Sequence, residues 1–152
     1  MRLPKQVLVI PYRLVNDKIE YCIFKRSDMD VWQWIAGGME DFDNDILTAA
    51  KREANEEASI PYDMEYIKLE EMTSIPVVNV VKTNIWGDDV FFVYEYSFAV
   101  NLKDYDIHLS SEHKEFKWVS YDEAIKLLKY DSNKNALWEL NEKIKKGVIK
   151  CI

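Results

Sequence analysis

The chain opens with short apolar runs set off by turn residues, which is the pattern of β-strands. Gln6 to Tyr12 (QVLVIPY) is the first run and Ile19 to Lys25 (IEYCIFK) the second. Asn16-Asp17 between them is a turn signal, so the pair predicts a hairpin. Pro11 offers no N–H to a ladder and marks a strand end, an edge or a bulge. Trp32 and Trp34 alternate with Gln33 in an extended segment and share one of its sides. Glu65 to Thr73 predicts a strand of mixed faces, Pro76 leads into VVNVV as a short strand or strand start, and Trp86 to Asp89 is a turn. Val90 to Val100 (VFFVYEYSFAV) is the strongest strand, apolar on both faces except at Glu95, and is expected to be central. Glu95 then points to a sheet edge or stands behind a functional site. After a loop at Asp104 to Ile107, Lys114 to Val119 predicts a last strand.

Elsewhere the period changes from two to 3.6. On a wheel at about 100° per residue, Ile46, Leu47, Ala50, Ala54 and Ala58 share one arc, the face that packs on a core. Ser120 with Glu123 makes a capping box, so a helix starts at Tyr121, and Asp131-Ser132-Asn133 breaks it. Asn135 to Lys146 predicts a final amphipathic helix, with Ala136, Leu137, Leu140 and Ile144 on one face and Gly147 at its end. Strands on both sides of one helix, with two helices last, predict an α/β (α+β) fold in which helices sandwich a mixed sheet. No repeat or linker divides residues 1–152, so one domain is expected.

Composition narrows the function. The formal charge is −7 and no basic run is present, which excludes phosphate-driven binding to a nucleic-acid polymer. A free nucleotide stays compatible, because a bound cation inverts the local electrostatics. Cys22 and Cys151 make no disulfide framework, and Cys22 in its apolar run packs as a small hydrophobe. Pro4, Lys5 and Gln6 interrupt any secretory signal, and no apolar stretch has the length of a membrane span. A cytoplasmic protein without a membrane partner is the expectation.

The helix from Asp45 to Ala58 also carries the candidate chemistry. Glu57 projects within the apolar arc near Ala50, Glu53 sits at its edge, and Glu56 lies beyond Glu53 toward Arg52. Glu53 repels both Glu56 and Glu57, since residues three and four apart are neighbours. Ionised carboxylates aimed at a core need positive partners. Arg52 and Lys51 supply part, and a hard divalent cation could supply the rest. The plain alternative is a solvated acidic helix.

The stretch Gly37 to Ile60 (GGMEDFDNDILTAAKREANEEASI) resembles the Nudix hydrolase box, G-x5-E-x7-R-E-U-x-E-E-x-G-U, where U is a bulky apolar residue. Counted from Gly38, Arg52, Glu53, Ala54, Glu56, Glu57 and Ile60 are in register. Asn44 stands where the pattern has its first glutamate, with Asp41, Asp43 and Asp45 crowding the same turn, and Ser59 replaces the last glycine. An Asn or Asp before Ile46 also suits a helix N-cap. Ser59 predicts a helix end without the more favourable glycine. A second segment, SSEHKEFKWVSYDEA, is similar to the E-H-x-x-[YF]-[KR]-W stretch of two Nudix branches. One cleaves dihydroneopterin triphosphate and deoxynucleoside triphosphates such as dATP, the other diadenosine tetraphosphate asymmetrically. DVWQWIAGG and the late Ser132-Asn133 look more like the first branch.

The resemblance implies an α/β/α sandwich and a hydrolase that uses Mg2+ or Mn2+ on a nucleotide or pterin triphosphate. It implies that Glu56 and Glu57 ligate metal, that Glu53 ligates metal or acts as base, that Arg52 orients Glu53, and that the Gly37 carbonyl completes the shell. Glu112 matches a glutamate at the metal site of related branches, as ligand or base, so Glu53, Glu56 and Glu112 all stay open as the base. Glu112 is otherwise a solvated loop residue, and His113 a structural one. Lys25 and Arg26 are candidate phosphate contacts or plain surface charge. Trp32 and Trp34 form either core or a wall on which a purine or pterin ring stacks. Two further readings stand beside the triphosphate hydrolase: asymmetric diadenosine tetraphosphate hydrolysis, and a Nudix-fold nucleotide-binding module with weak catalysis, which Asn44 motivates.

Overall fold

A computed structural model of the protein describes residues 1–151. Its elements are β1 (Arg2–Val15), β2 (Lys18–Arg26), β3 (Trp32–Gln33), β4 (Ile35–Glu40), α1 (Ile46–Ala58), β5 (Glu65–Pro76), β6 (Phe92–Asn101), β7 (His113–Val119), α2 (Tyr121–Leu127) and α3 (Asp131–Lys145). The sheet runs β3-β2-β1-β6-β5, with β4 paired to β1 and β7 to β2. β1 and β6 are parallel and the other pairs antiparallel. This is the mixed α/β sandwich that the alternation of patterns predicts.

β1 organises the sheet. Its first half pairs with β4 (Val7 opposite Gly37, Val9 opposite Ile35) and its last residues with β2 (Tyr12 opposite Tyr21). Pro11 falls between these two zones, in register with neither β4 nor β2, while β6 pairs it with Val100 on the other side. Alternation then sends Val7 and Val9 into one apolar cluster with α1, and Leu8 and Ile10 into a second with α2 and α3. The hairpin turn at Asn16-Asp17 takes left-handed backbone at both residues, with φ of 50° and 65°.

Four expectations change. β1 starts at Arg2, not Gln6, after a register shift between those residues. VVNVV is not a strand: Val77–Asn79 is a single 3-10 turn. Pairing ends where Pro76 faces Phe92, and the chain must turn there to return. Glu95 is not at an edge, since β6 lies between β1 and β5. Asp131-Ser132-Asn133 is the first turn of α3 instead of a break before it. Asn133 accepts from Trp34 N–H at 3.0 Å, and its carbonyl accepts from Trp34 Nε1 at 2.9 Å. A polar residue that reads locally as a breaker is thus spent on a contact across the fold.

α3 is fixed to the sheet by Glu139. A register shift between Lys68 and Met72 leaves N–H groups on β5 without ladder partners. Glu139 accepts from Glu70 N–H at 2.6 Å and from Glu71 N–H at 2.8 Å, while Lys143 donates to it at 2.6 Å. Burial pushes the Glu139 carboxyl up, but these donors together outweigh it and hold the group below the ordinary glutamate range. A depressed folded pKa means stability present above the unfolded value and lost as pH falls through the folded one. Glu139→Ala should therefore cost about 2 kcal/mol at neutral pH, read by urea denaturation, and the gap to the parent protein should close in acid.

Candidate active site

α1 is built to lie close on the sheet. Asp45 caps it, accepting from Thr48 N–H at 2.8 Å. Ala49, Ala50, Ala54 and Ala58 are fully buried, and their small side chains bring the helix against Val7 and Val9. Ser59 ends it in left-handed backbone at φ 59°, its N–H bonding back to Asn55 O at 2.9 Å. The Ser59 hydroxyl donates to His108 O at 3.0 Å, which offsets the strain a glycine would avoid.

This approach buries two of the glutamates. Glu57 is 1 % exposed and Glu53 9 %. Glu53 lies over Gly37: a Cβ there would stand 2.0 Å from its carboxyl carbon. Only a glycine leaves that volume to the acid. His113 Nε2 meets Glu57 Oε1 at 2.7 Å, while Glu57 Oε2 is buried with no hydrogen-bond partner among the described residues. Burial pushes both acids well above the ordinary range, and for Glu53 the neighbouring Glu57 adds to it. Burial also lowers the His113 pKa. A neutral imidazole can donate from Nε2 to Glu57. Glu56, by contrast, has a half-exposed side chain and meets Arg52 Nη1 at 3.3 Å.

Arg52 ties helix to bend. It donates from Nε to Asp43 Oδ1 at 3.0 Å, from Nη2 to Asp43 Oδ2 at 2.9 Å, and from Nη2 to Gly38 O at 2.9 Å. Nη1 reaches Glu53 Oε1 at 3.1 Å. Asp43 is buried and also accepts from Glu40 N–H at 2.8 Å. The turn that lacks the pattern's first glutamate is closed by this aspartate, whereas Asn44 beside it is exposed. Asp43 was legible only as one acid among three, because nothing local singles out the one that faces Arg52.

A cleft of about 1070 Å³ joins this end to the opposite face of the sheet. Gly37, Glu57, Arg26, Glu112 and His113 line one part, and Gln6, Glu95, Gln33 and Tyr130 another. Arg26 sits there with its charge on Asp28 at 2.5 Å. Lys25 does not line the cleft; it pairs with Asp30 at 2.9 Å and lies 5.5 Å from the Trp32 ring. Trp34 has no exposed surface and belongs to the α3 cluster, so a ring-stacking wall gives way to core packing there. Trp32 is half-buried in the same cluster, with Lys25 and Lys117 over it. Alternation turns Gln33, not the tryptophans, to the cleft. Tyr130, at the start of α3, also stands on the cleft wall. It carried no local signal, and Arg2, Gln6 and Glu95 reach the cleft only through strand pairing.

Residues 5–139 match the profile of the NUDIX domain. The chain belongs to the NUDIX family. A protein assigned to the NUDIX hydrolases of Listeria monocytogenes str. 4b F2365 is 39% identical over 99% of this chain and 100% of that one, with a TM-score of 0.87. The E. coli dihydroneopterin triphosphate pyrophosphohydrolase shares the fold at 24% identity, covering 92% and 97% of the two chains, with a TM-score of 0.74. An Ap4A hydrolase of C. elegans does so at 22% identity over 93% and 98%, with a TM-score of 0.73. As a Nudix hydrolase the protein acts on acid anhydrides in phosphorus-containing substrates. Among the described residues no helix is long and apolar enough to cross a membrane.

The Nudix bend depends on a buried ion pair whose Asp43 is held below the ordinary aspartate range, first by its hydrogen bonds from Arg52. Arg52→Met should cost about 3 kcal/mol in urea denaturation, because it strands a buried carboxylate. The Asp43→Asn/Arg52→Met double variant should lose less than the two single changes added together. The pair's contribution exists above the unfolded pKa of Asp43 and fades as pH falls through its lowered folded value.

Proposed function

We propose that this Nudix hydrolase cleaves the phosphoanhydride of a nucleoside triphosphate or of dihydroneopterin triphosphate, with Mg2+ or Mn2+ held at the Glu53–Glu57 end of the cleft. The observation that carries this is the pair of buried acids with one orphaned oxygen, Glu57 Oε2, beside a side-chain-free bend. A hard cation suits that donor set. Among the described residues no group of three His, Cys, Asp or Glu converges to hold a metal unaided. Magnesium does not need one: it commonly takes one or two carboxylates and completes its shell with water and substrate phosphates. Glu53 and Glu57 would hold it, with the Gly37 carbonyl. Bound there, the ion would neutralise phosphoryl charge and acidify water.

The chain's own groups then have separate tasks. His113 fixes Glu57, and Arg52 fixes Glu53 and the Gly38 carbonyl. Arg26 lines the cleft and can exchange Asp28 for a phosphate oxygen. Glu112, exposed on the cleft wall, can accept a proton from the attacking water; Glu56, turned toward solvent, is the other candidate. Both cysteines are free, which supports a reducing setting such as the cytoplasm. The NUDIX match supports reading residues 1–152 as one domain. Asymmetric cleavage of diadenosine tetraphosphate is the second reading, favoured by the segment Glu112 to Trp118 and the fold shared with the C. elegans enzyme.

A panel of nucleotides and dihydroneopterin triphosphate with Mg2+ or Mn2+, products identified by mass spectrometry, tests this. Triphosphates should be cleaved. ATP plus AMP from the dinucleotide, with triphosphates left intact, would install the second reading. Glu57→Gln should lower kcat roughly a hundredfold or more while the fold persists; full activity in that variant would remove Glu57 from the site. Gly37→Ala should change stability by less than about 1 kcal/mol, since Glu53 can swing aside, yet abolish turnover by moving that acid.

A further inference from the structure

Glu95 is the buried carboxylate of the cleft that the hydrolytic end does not use. It is 4 % exposed and lines the cleft from β6. Its Oε2 accepts from Gln6 Nε2 at 2.6 Å, and Gln6 Oε1 accepts in turn from Arg2 Nη2 at 3.0 Å. Its Oε1 is buried and has no hydrogen-bond partner among the described residues. A buried acid whose hydrogen-bonded partner is a neutral amide is expensive, and such an orphan calls for an explanation.

Its place in the sheet suggests what the orphan meets. Gly38, Gln6, Glu95 and Thr73 lie opposite one another on β4, β1, β6 and β5. Strands lie about 4.8 Å apart, so Glu95 stands about 10 Å from the Gly38 bend. That is the scale of the reach from a heterocycle to the phosphates of its own nucleotide. Tyr130 also lines the cleft.

The chemistry of the free group selects the edge. Burial, the largest influence, raises the Glu95 pKa, and the Gln6 amide opposes it by favouring the charged form. In its ionised form, which N–H donors favour, the carboxylate only accepts, and Gln6 takes one of its four lone-pair sites. It therefore pairs with two N–H donors side by side. A 2-amino-4-oxopyrimidine ring, shared by guanine and pterins, presents such an edge: a ring N–H next to an exocyclic amino group. Adenine offers a donor beside an acceptor, and so meets a carboxylate with one lone pair against another.

We propose that Glu95, positioned by Gln6 and Arg2, is the specificity residue of the cleft and selects substrates carrying a 2-amino-4-oxopyrimidine ring over adenine. Only the identity of the phosphate end rests on the proposed hydrolase reading; the ring site does not.

The test separates the two. Calorimetric titration of the parent protein in EDTA with dGMP, dAMP, dIMP and neopterin reads the ring site without turnover. dGMP should bind roughly tenfold or more tightly than dAMP, and dIMP, which lacks the amino group, should lose most of that advantage. Neopterin tighter than dGMP would assign the pterin source; the reverse would assign a guanine nucleotide. Glu95→Gln, its fold checked by circular dichroism, should bring the dGMP to dAMP ratio toward one. Equal binding of dGMP and dAMP, a preference for dAMP, no ring binding at all, or an unchanged ratio in the variant would overturn the proposal. The same ring series as triphosphates with Mg2+ reports kcat/KM. Ring preference without turnover would reject the hydrolase reading and keep the ring site. Turnover with adenine preferred would do the opposite.

Discussion

Two acids that cannot both ionise comfortably without a positive partner govern this molecule. Glu53 and Glu57 lie four residues apart on α1, both buried, and burial opposes the charge of each. The surrounding structure exists to keep them there. Alanines bring α1 onto β1, Gly37 leaves the volume that the Glu53 carboxyl fills, and Arg52 and His113 each take one oxygen. One oxygen of Glu57 is left over. Two negative charges there are disfavoured as the site stands, and a shared proton or the proposed divalent cation relieves them. A net charge of −7 would otherwise argue against any polyphosphate ligand.

The same logic explains why the bend is fixed so firmly. Arg52 spreads its donors over Asp43, Glu53, Glu56 and the Gly38 carbonyl. A guanidinium offers five donors in a rigid fork, which a lysine cannot imitate. The bend is therefore held by the residue that also stabilises the acid pair. Loop and site cannot be altered independently.

What could be read along the chain divides by range. The inward aim of Glu57 was legible because helical periodicity is local: Ala50, Ala54 and Ala58 define a face and Glu57 falls on it. The Asp45 cap and the Asn16-Asp17 turn were legible for the same reason. Trp34 was ambiguous because an extended segment shows which residues share a side, not what that side meets. Asn133 on α3 decides it, ninety-nine positions away. Glu95 looked like an edge residue because an acid within a strongly apolar strand suggests escape to solvent. Strand order instead sets it between β1 and β5, facing Gln6. The 3-10 turn at Val77–Asn79 was hidden by valines whose β preference yields to the return path of the chain.

Those long-range pairings also explain how one small cleft can keep two kinds of recognition apart. β1 presents Val7 and Val9 to α1 and, one residue out of phase, Gln6 and Leu8 to the other face. The first set packs α1 and so positions the acid pair, while Gln6 and Leu8 of the second line the cleft with Glu95. Among the described residues no side-chain hydrogen bond joins the Gln6–Glu95 rung directly to Glu53, Glu57 or His113, and the two meet only at Gly38, which pairs with Gln6 and accepts from Arg52. A sheet whose two faces answer to different residues of one strand lets ring selection drift while the hydrolytic end stays fixed.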